Sequence, residues 1–508
     1  MGSLHETNPS LWVATTRDAP RFPVPETGRS FDVVVVGAGI TGLTTARLLA
    51  AEGADVAVLE AGRIVSGVTA HTTAKVTALQ QTTLSEIERR LGADRMQAYA
   101  EANAAAVERV AALVAEDGIE CDLERAPACT YAATADGVDA VEAEHRAARA
   151  AGLPARLDAE TELPYPVASA VWLDDQLQLH PRRYCIGLAD AVVRHGGAVF
   201  EHTRVLDVRE GAAGCVVQHA NGTIDAGHVV VASHLPFLDE GGFFARAHPK
   251  RSYALAVRLR SGGRRPLGMY ISADDPTRSI RSTVDEWVVL GGEGHKVGHD
   301  DDTRDRYVAL EAWAREHFEV ADVGYRWSAQ DYESVDGMPY IGRLRPGRER
   351  TWVATALRKW GMSNGTAAAM LLADLVQGRD HPWAEAFDST RLAPGASIKS
   401  LVTENVEVGK RFVGDRLRTR RSRPVEELAP GEADVVLLDG DPVAAYRDGA
   451  GQLHAVAANC THLGCRVSFN TAELTWDCPC HGSRFDVDGR VLQGPAVDDL
   501  ARHEVPPG

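Results

Sequence analysis

The 508-residue sequence has no uninterrupted apolar run long enough for a transmembrane helix. Its most apolar stretch, residues 33–51, includes three glycines and Arg47, whereas a membrane span needs about 20 mostly apolar residues. Residues 1–25 also lack the basic segment followed by an apolar one that marks a secretory signal. These absences predict a soluble, cytoplasmic protein without membrane insertion.

The sequence also lacks an excess of basic over acidic residues. The sequence has 54 Lys and Arg against 71 Asp and Glu, a formal net charge of −17. A nucleic acid or an anionic membrane would therefore have to bind a local basic patch while the overall negative charge of the protein repels it. This argues against both as partners.

The composition is that of an ordinary globular protein, with 44% hydrophobic and 25% charged residues and no internal repeat or low-complexity segment. At about 150 residues per domain, the length predicts about three structural units.

The eight cysteines are unevenly distributed. Four of them lie within one short C-terminal stretch: Cys460, Cys465, Cys478 and Cys480. In a chain without a secretory signal, such clustering favours a metal site over a disulfide framework. The scattered ones are interpreted as small buried apolar residues: Cys121, Cys129, Cys185 and Cys215.

The first part of the chain begins as a β-α-β unit. Residues 31–36 and 55–59 are β-branched runs, and an apolar-periodic helix extends between them to about residue 52. Residues 84–150 are rich in Ala, Glu and Arg at helical spacing, which predicts helices packed over a sheet.

Strand and helix patterns alternate further along the chain, up to about Leu392. Strands are predicted at 205–208, 215–218, 228–231, 253–259, 287–290 and 351–355, and helices at 303–318 and, after a Gly/Ser/Asn turn, at 365–376. We divide the chain into an oxidoreductase region, 30–393, a proline-containing linker, 394–430, and a small all-β module, 431–508. A basic docking patch at residues 416–423 is the alternative to a solvated linker.

Gly37, Gly39 and Gly42 form G-x-G-x-x-G directly after a strand and at the start of a helix. Such glycines allow the backbone to approach a pyrophosphate, which the helix N-terminus favours. Glu60 ends the second strand, where a carboxylate accepts the ribose hydroxyls of a bound dinucleotide. A carboxylate there disfavours NADP, although Arg63 leaves that alternative open.

Three further segments distinguish FAD from NAD. They are VSGVTAHTTAK at 65–75, DGMPYIG at 336–342 and WGMSNGT at 360–366. Together they resemble the D-amino-acid-oxidase and glycine-oxidase superfamily of flavoproteins. The resemblance implies a discontinuous α/β Rossmann-type FAD-binding domain with an α+β substrate domain. It also implies that the helix after the last segment directs its N-terminal amides at the flavin.

The resemblance assigns cofactor-binding roles to residues from all these segments. They are Gly37, Gly39, Gly42, Glu60, Arg63, Thr69, His71, Thr72, Thr73, Val205, Gly342, Trp360, Gly361, Met362, Ser363 and Thr366. Dimethylglycine-dehydrogenase-like relatives carry a flavin-bonded histidine near the position of His71. A covalent link through His71 is therefore a hypothesis, and a hydrogen-bonded or packed histidine is the alternative.

A second glycine-rich stretch, residues 291–298, also follows a strand. Acidic residues come next and no apolar helix begins there, so we interpret it as a strand-end turn. Without a second dinucleotide site, NAD(P)H is not expected as the electron donor.

The C-terminal cysteines alternate with histidines, as C-x-H at Cys460 and His462 and C-x-x-H at Cys478 and His481. Two thiolates and two imidazoles suit either zinc or a [2Fe-2S] cluster. The spacing resembles Rieske domains, whereas zinc knuckles usually pair ligands as C-x-x-C. The resemblance implies that Cys460 and Cys478 bind one iron, and that His462 and His481 bind the other.

The same resemblance implies a Cys465–Cys480 disulfide and a proline loop at residues 494–496 that covers the cluster. Ser483 matches a hydroxyl donor to the cluster. Phe485 stands where high-potential members often have tyrosine, which predicts a lower potential.

The whole chain resembles bacterial fusions described as γ-glutamylputrescine-oxidoreductase-like. This implies an FAD-dependent dehydrogenase that oxidises the C–N bond of a small amine or amino acid, and passes electrons through its own cluster to an external acceptor. Lys296 is displaced from the lysine position of related oxidases, which favours a dehydrogenase. Candidate catalytic or substrate-contacting residues are His71, Tyr253, Tyr270, Arg278, Arg281 and His295. The alternatives are an electron-transfer or redox-sensing protein and a Rieske monooxygenase.

Overall fold

A computed structural model describes residues 9–298, 302–391, 424–438 and 441–504. Within these ranges, none of the helices combines the length and the apolar character that crossing a bilayer requires.

The helices pack on two large sheets. They are α1 (Leu11–Ala14), α2 (Ile40–Ala51), α3 (Thr83–Leu91), α4 (Ala93–Asp117), α5 (Val138–Ala150), α6 (Pro181–Arg194), α7 (Arg304–His317), α8 (Gly361–Val376) and α9 (Ala384–Phe387).

The first sheet has a parallel centre in the order β17 (Thr351–Thr355), β10 (Gly222–Val231), β1 (Ser30–Val36), β2 (Val56–Leu59) and β7 (Ala198–Phe200). Its margin carries antiparallel β16 (Tyr340–Arg343) and the hairpin β8 (Val205–Glu210) and β9 (Cys215–His219). Residues 33–36 are buried on both faces, as expected for a valine run in a parallel sheet. Helices α2, α6 and α8 pack together next to this sheet, in agreement with the predicted Rossmann-type unit.

The second sheet is mixed and corresponds to the predicted substrate domain. Its order is β15 (Val320–Ser334), β11 (Ala247–Leu259), β14 (Val288–Lys296), β13 (Ser279–Ser282), β12 (Met269–Ser272), β4 (Glu124–Ala132), β6 (Ser169–Gln178) and β3 (Lys75–Val76), and β5 (Arg156–Leu157) pairs with β6.

Strand β4 corrects the prediction of helices throughout 84–150. Its alanines and glutamate favour a helix locally, but it pairs with β6 and β12, which lie far away along the chain. Two boundaries also differ from prediction. Helix α8 begins at Gly361 rather than Gly365, and β14 continues to Lys296 through the glycines expected to form a turn.

The C-terminal module contains two small antiparallel sheets, which confirms the predicted all-β unit. One consists of β18 (Ala433–Leu438), β19 (Asp441–Arg447) and β20 (Leu453–Ala457), and the other of β21 (Ser468–Asn470), β22 (Thr475–Asp477), β23 (Arg484–Phe485) and β24 (Val491–Gln493). Of the predicted linker, residues 394–423 with the basic stretch lie outside the described residues. Its end packs onto the module, because Val425 and Leu428 are buried against Val436.

Candidate functional site

The glycine-rich turn leaves no room for side chains at two of its positions. Gly37 has a φ of +105°, and a Cβ there would lie 2.6 Å from the carbonyl oxygen of Ala232. A Cβ on Gly42 would lie 1.9 Å from the carbonyl oxygen of Gly37. The glycines thus hold helix α2 close to the turn, with bare backbone facing the cavity, as a pyrophosphate requires.

Glu60 lies beside this turn and is held by two backbone amides. Its carboxylate oxygens accept from Ala38 N and Gly62 N, both at 2.9 Å. Burial raises the pKa of Glu60, while these two hydrogen bonds act in the opposite direction. Arg63 pairs with Glu201 at 3.0 Å and donates to Pro20 O, so its guanidinium is held by acceptors of the protein itself.

Three side chains from outside the 65–75 segment hold its central residues, 70–72. Ser10 Oγ donates to Ala70 O at 2.6 Å, Trp12 Nε1 to Thr72 O at 2.7 Å and Trp327 Nε1 to His71 O at 2.9 Å. His71 Nδ1 lies 2.9 Å from Gly67 O. Because a carbonyl only accepts, Nδ1 carries the proton and Nε2 the lone pair. Burial lowers the pKa of His71, which keeps the ring neutral.

The turn before α8 has an unusual backbone. Ala356, Arg358 and Lys359 have φ values of +58°, +55° and +66°. Side-chain-bearing residues rarely adopt this left-handed region, and such strain concentrates at functional sites. The turn is fixed by Arg358, which donates to Gly337 O and pairs with Glu86 at 3.1 Å, and by Lys359 N, which donates to Asp331.

One cavity of about 1390 Å³ joins all these elements, and its volume is sufficient for a dinucleotide and a small substrate. Its lining includes Tyr253 and His295, which form a hydrogen-bonded pair with Tyr253 Oη 3.0 Å from His295 Nε2. Since His295 Nδ1 lies 2.8 Å from the Lys296 carbonyl, Nδ1 carries the proton and Nε2 accepts from Tyr253.

Most of the sequence-predicted residues line this cavity. They are Gly37, Gly39, Glu60, Arg63, Thr69, His71, Thr72, Thr73, Val205, Trp360, Gly361, Met362, Tyr253 and His295. Lys296, expected to be displaced, also lines it.

Other predicted residues lie behind the cavity wall. Thr366 Oγ1 donates to Met362 O, Ser363 Oγ to Thr77 O, and Gly342 lies against Ser389. The Tyr270 ring packs among Tyr131 and Trp172, Arg278 pairs with Glu293, and Arg281 donates to Ala74 O and Leu179 O. Tyr270, Arg278 and Arg281 are not among the residues that line the cavity.

The cluster motifs form two adjoining loops, and the four cysteines on them are buried. Cys465 and Cys480 form a disulfide between the loops, as the resemblance implied, and the Cys478 sulfur lies within 4.8 Å of both sulfurs. Cys460 and Cys478 are free thiols. The hydrogen bond between them lowers the pKa of Cys460 to about 7 and raises that of Cys478.

The two histidine rings complete the donor set. Their centroids are 5.0 Å apart at 88°, and the Nδ1 atoms of His462 and His481 are buried without hydrogen-bond partners. A buried polar atom without a partner is costly unless a ligand satisfies it. Two thiols and two such nitrogens fit a cluster that is held by two cysteine and two histidine ligands.

Strands β11 and β15 of the substrate domain clamp the second cluster loop. Tyr332 Oη donates to His481 O at 2.8 Å and Gln330 Nε2 to Gly482 O at 2.7 Å. Arg251 NH2 pairs with Asp477 at 2.7 Å. The pKa of Asp477 is lowered although burial acts in the opposite direction, because Arg251 and Arg484 stabilise its charge.

Several cavity and interface residues carry no signal in the sequence. Lys75 Nζ is buried and donates to Tyr270 O at 2.5 Å and Ser279 Oγ at 2.6 Å, and burial lowers its pKa strongly. His234 accepts from Gln493 of the C-terminal module at 2.8 Å and lies 3.0 Å from Asp331. The C-terminal module also contributes to the cavity wall, through Leu474, Arg484 and Gln493.

Comparison with known proteins accounts for both regions. The family model described as FAD dependent oxidoreductase (DAO) matches residues 32–375, and that of the Rieske [2Fe-2S] domain matches residues 421–504. YhfW of Bacillus subtilis (strain 168), whose name describes a Rieske 2Fe-2S iron-sulfur protein, is 35% identical over 498 residues, which cover 97% of each chain.

Solved structures show the same fold for the larger region. The glycine oxidase of Geobacillus kaustophilus has a TM-score of 0.60 at 22% identity and covers 72% of this chain and 99% of its own. The L-proline dehydrogenase of P. horikoshii has a TM-score of 0.59 at 18% identity, with 72% and 98% covered. The resemblances to the D-amino-acid-oxidase superfamily and to Rieske domains are thereby confirmed. The chain belongs to the DAO family of FAD-dependent oxidoreductases and carries a C-terminal Rieske domain, so that its cofactors are FAD and a [2Fe-2S] cluster.

Proposed function

We propose that the protein is a dehydrogenase that oxidises the C–N bond of a small amine or amino acid and delivers the electrons, through its own Rieske cluster, to an external acceptor. The observation that carries the proposal is the shared cavity. Its wall contains the glycine-rich turn, the Tyr253–His295 pair and residues of the Rieske domain.

Bound FAD supplies a two-electron hydride acceptor, and the [2Fe-2S] cluster supplies a one-electron carrier. We assign Cys460 and Cys478 to one iron, and His462 and His481 to the other. Glu60 and the glycine-rich turn would hold the ADP part of FAD, and the first turn of α8 would present its amides to the flavin ring.

The chain offers a proton route for the amine. Tyr253 Oη can accept the proton that the substrate nitrogen loses while it passes its own to His295 Nε2, the acceptor of its 3.0 Å hydrogen bond. The His295 tautomer, fixed by the Lys296 carbonyl, keeps Nε2 ready for that proton. Oxidation of an amine to an imine releases one hydride, which bound FAD would accept, and one proton, whose net acceptor is His295 Nε2 because Tyr253 passes its own proton on.

The contacts between the domains support transfer within one chain. Strand β15 contributes Ser328, Gln330 and Asp331 to the cavity wall. The same strand holds the His481 carbonyl through Tyr332. The cluster loop is therefore attached to a strand that borders the proposed substrate position.

Anaerobic mixing of the holoprotein with a panel of amines and amino acids tests the proposal. We expect flavin bleaching, followed by the spectrum of a reduced cluster. In Cys460→Ser, which removes one proposed iron ligand, flavin bleaching should persist without the second phase. If no member of the panel bleaches the flavin, the dehydrogenase proposal fails and an electron relay between protein partners is favoured.

The covalent link through His71 is a separate hypothesis. The ring nitrogen with the lone pair is Nε2, and His71 lines the cavity. Acid precipitation decides the matter, because flavin recovered fully in the supernatant eliminates the link.

A further inference from the structure

A carboxylate of the oxidoreductase region reaches one of the proposed cluster ligands. Asp239 Oδ1 lies 2.8 Å from His462 Nε2, across the boundary between the two regions. The His462 side chain is 5% exposed and that of Asp239 is 49% exposed. Since the buried Nδ1 of His462 has no hydrogen-bond partner, it is the nitrogen available to iron. Nε2 then carries the proton and donates to Asp239.

The segment that carries Asp239 is held in place from its own side. The neighbouring Glu240 pairs with Arg345 at 2.7 Å and also with Arg348. Gly242 turns the chain with a φ of +61°, and the Phe243 ring packs against Arg246. The position of Asp239 is therefore set by contacts that do not involve the Rieske domain.

The same segment covers the histidine edge of the cluster site. The Phe244 ring lies edge-on to both imidazoles, 6.0 Å from His462 and 5.4 Å from His481 between centroids. Phe244 limits water around the two rings, which strengthens the interaction of a carboxylate with the imidazole.

We propose that Asp239 is a positioning residue that lowers the reduction potential of the Rieske cluster. A carboxylate that accepts from a ligating imidazole orients the ring and raises its basicity. A more basic ligand, together with the nearby negative charge, stabilises the oxidised cluster relative to the form with one more electron. No bond to Asp239 is made or broken in this one-electron reduction.

The inference uses the proposed ligand set but not the proposed substrate oxidation. Its test therefore uses dithionite as the reductant. If substrates fail to bleach the flavin, the potential of the cluster can still be measured, so the two failures are distinguishable.

The experiment is a redox titration of the full-length holoprotein, followed by the electron paramagnetic resonance signal of the reduced cluster. Asp239→Ala removes both the negative charge and the hydrogen-bond acceptor. We expect the equilibrium constant for reduction of the cluster to rise at least tenfold, which is a rise of about 59 mV in its one-electron reduction potential. Asp239→Asn keeps an acceptor without the charge and should give a smaller rise. Asp498→Asn is the matched control, since it removes one negative charge from an exposed residue beside the first cluster loop and keeps the Asp498 carbonyl that accepts from Thr461 Oγ1. It should change the equilibrium constant for reduction of the cluster less than threefold.

Iron and sulfide content and the thermal midpoint are measured for each variant. If Asp239→Ala fails to retain its cluster, the comparison of Asp239→Asn with Asp498→Asn decides. An unchanged potential in the Asp239 variants, or an equal rise in Asp498→Asn, would overturn the proposal, because the effect would then be absent or merely one of overall charge.

Discussion

The two cofactor regions are assembled in opposite ways. The cluster site takes its four proposed ligands and its disulfide from residues 460–481. The flavin side of the cavity combines the turn at 37–42 with the 65–75 segment and the start of α8 at Gly361. A site that is local in sequence depends on a few side chains, whereas a dispersed one depends on many weak contacts. Mutations should therefore have all-or-none effects in the first region and graded effects in the second.

The largest effect is expected for Cys478→Ala. Removal of one proposed thiolate ligand should abolish the cluster while the flavin remains, because the four donors act as a unit. Cys215→Ala is the control, since Cys215 is an equally buried free cysteine of the FAD-binding sheet. Iron, sulfide and flavin contents per chain are measured. Loss of flavin together with iron would contradict the independence of the two regions.

The next largest effect is expected where the regions meet, in Arg251→Met. Arg251 is 1% exposed and donates to Asp477 and Ser328, so its loss leaves a buried carboxylate without its main counter-charge. Breaking such a buried pair costs about 3–5 kcal/mol of the free energy of unfolding.

Lys250→Met is the matched control for Arg251→Met. Lys250 is the preceding residue on the same strand, and it pairs with Glu333 while 36% exposed. A partly exposed pair contributes about 0–1 kcal/mol. Urea unfolding followed by flavin and cluster absorbance measures both variants. Equal losses would show that Arg251 does not couple the regions.

A smaller effect is expected in the glycine-rich turn. Gly42→Ala places a Cβ 1.9 Å from Gly37 O and forces α2 away from the turn. Such overpacking costs about 1–3 kcal/mol, which corresponds to roughly tenfold to hundredfold weaker FAD binding. Gly211→Ala is the control, because a Cβ there would meet only Gly214 O at 3.7 Å and Gly211, in the turn between β8 and β9, is not among the residues that line the cavity. The FAD dissociation constants of the flavin-free variants are compared. Similar constants would remove the packing argument for Gly42.

The difference between a site that is local in sequence and one that is dispersed also explains which features could be predicted from the sequence. The β-α-β unit at the start of the parallel sheet, the glycine-rich turn and both cluster loops follow from local patterns, since their residues are close along the chain. Strand β4 could not be recognised, because its alanine-rich sequence is extended only through pairing with β6 and β12. Lys75, His234 and Asp239 were missed for the same reason, as their contacts join residues 97 to 259 positions apart.

The smallest predicted effect tests the dispersed region directly. In Trp327→Phe, the ring is largely kept but the indole N–H that donates to His71 O is lost. One hydrogen bond contributes about 0.5–1.5 kcal/mol, so we expect a loss of that size in the free energy of unfolding. The flavin absorbance should change, because the backbone beside His71 loses one of its anchors.

Trp287→Phe is the control for Trp327→Phe. Trp287 contacts Tyr325 and Arg258 rather than the 65–75 segment. It should leave the flavin spectrum unchanged, and neither variant should alter the paramagnetic signal of the cluster. Because Ser10 and Trp12 still hold the neighbouring carbonyls in Trp327→Phe, the flavin region should weaken without losing its cofactor. Complete loss of FAD in Trp327→Phe would show that the anchors act as a single unit, and the contrast with the cluster site would then fail.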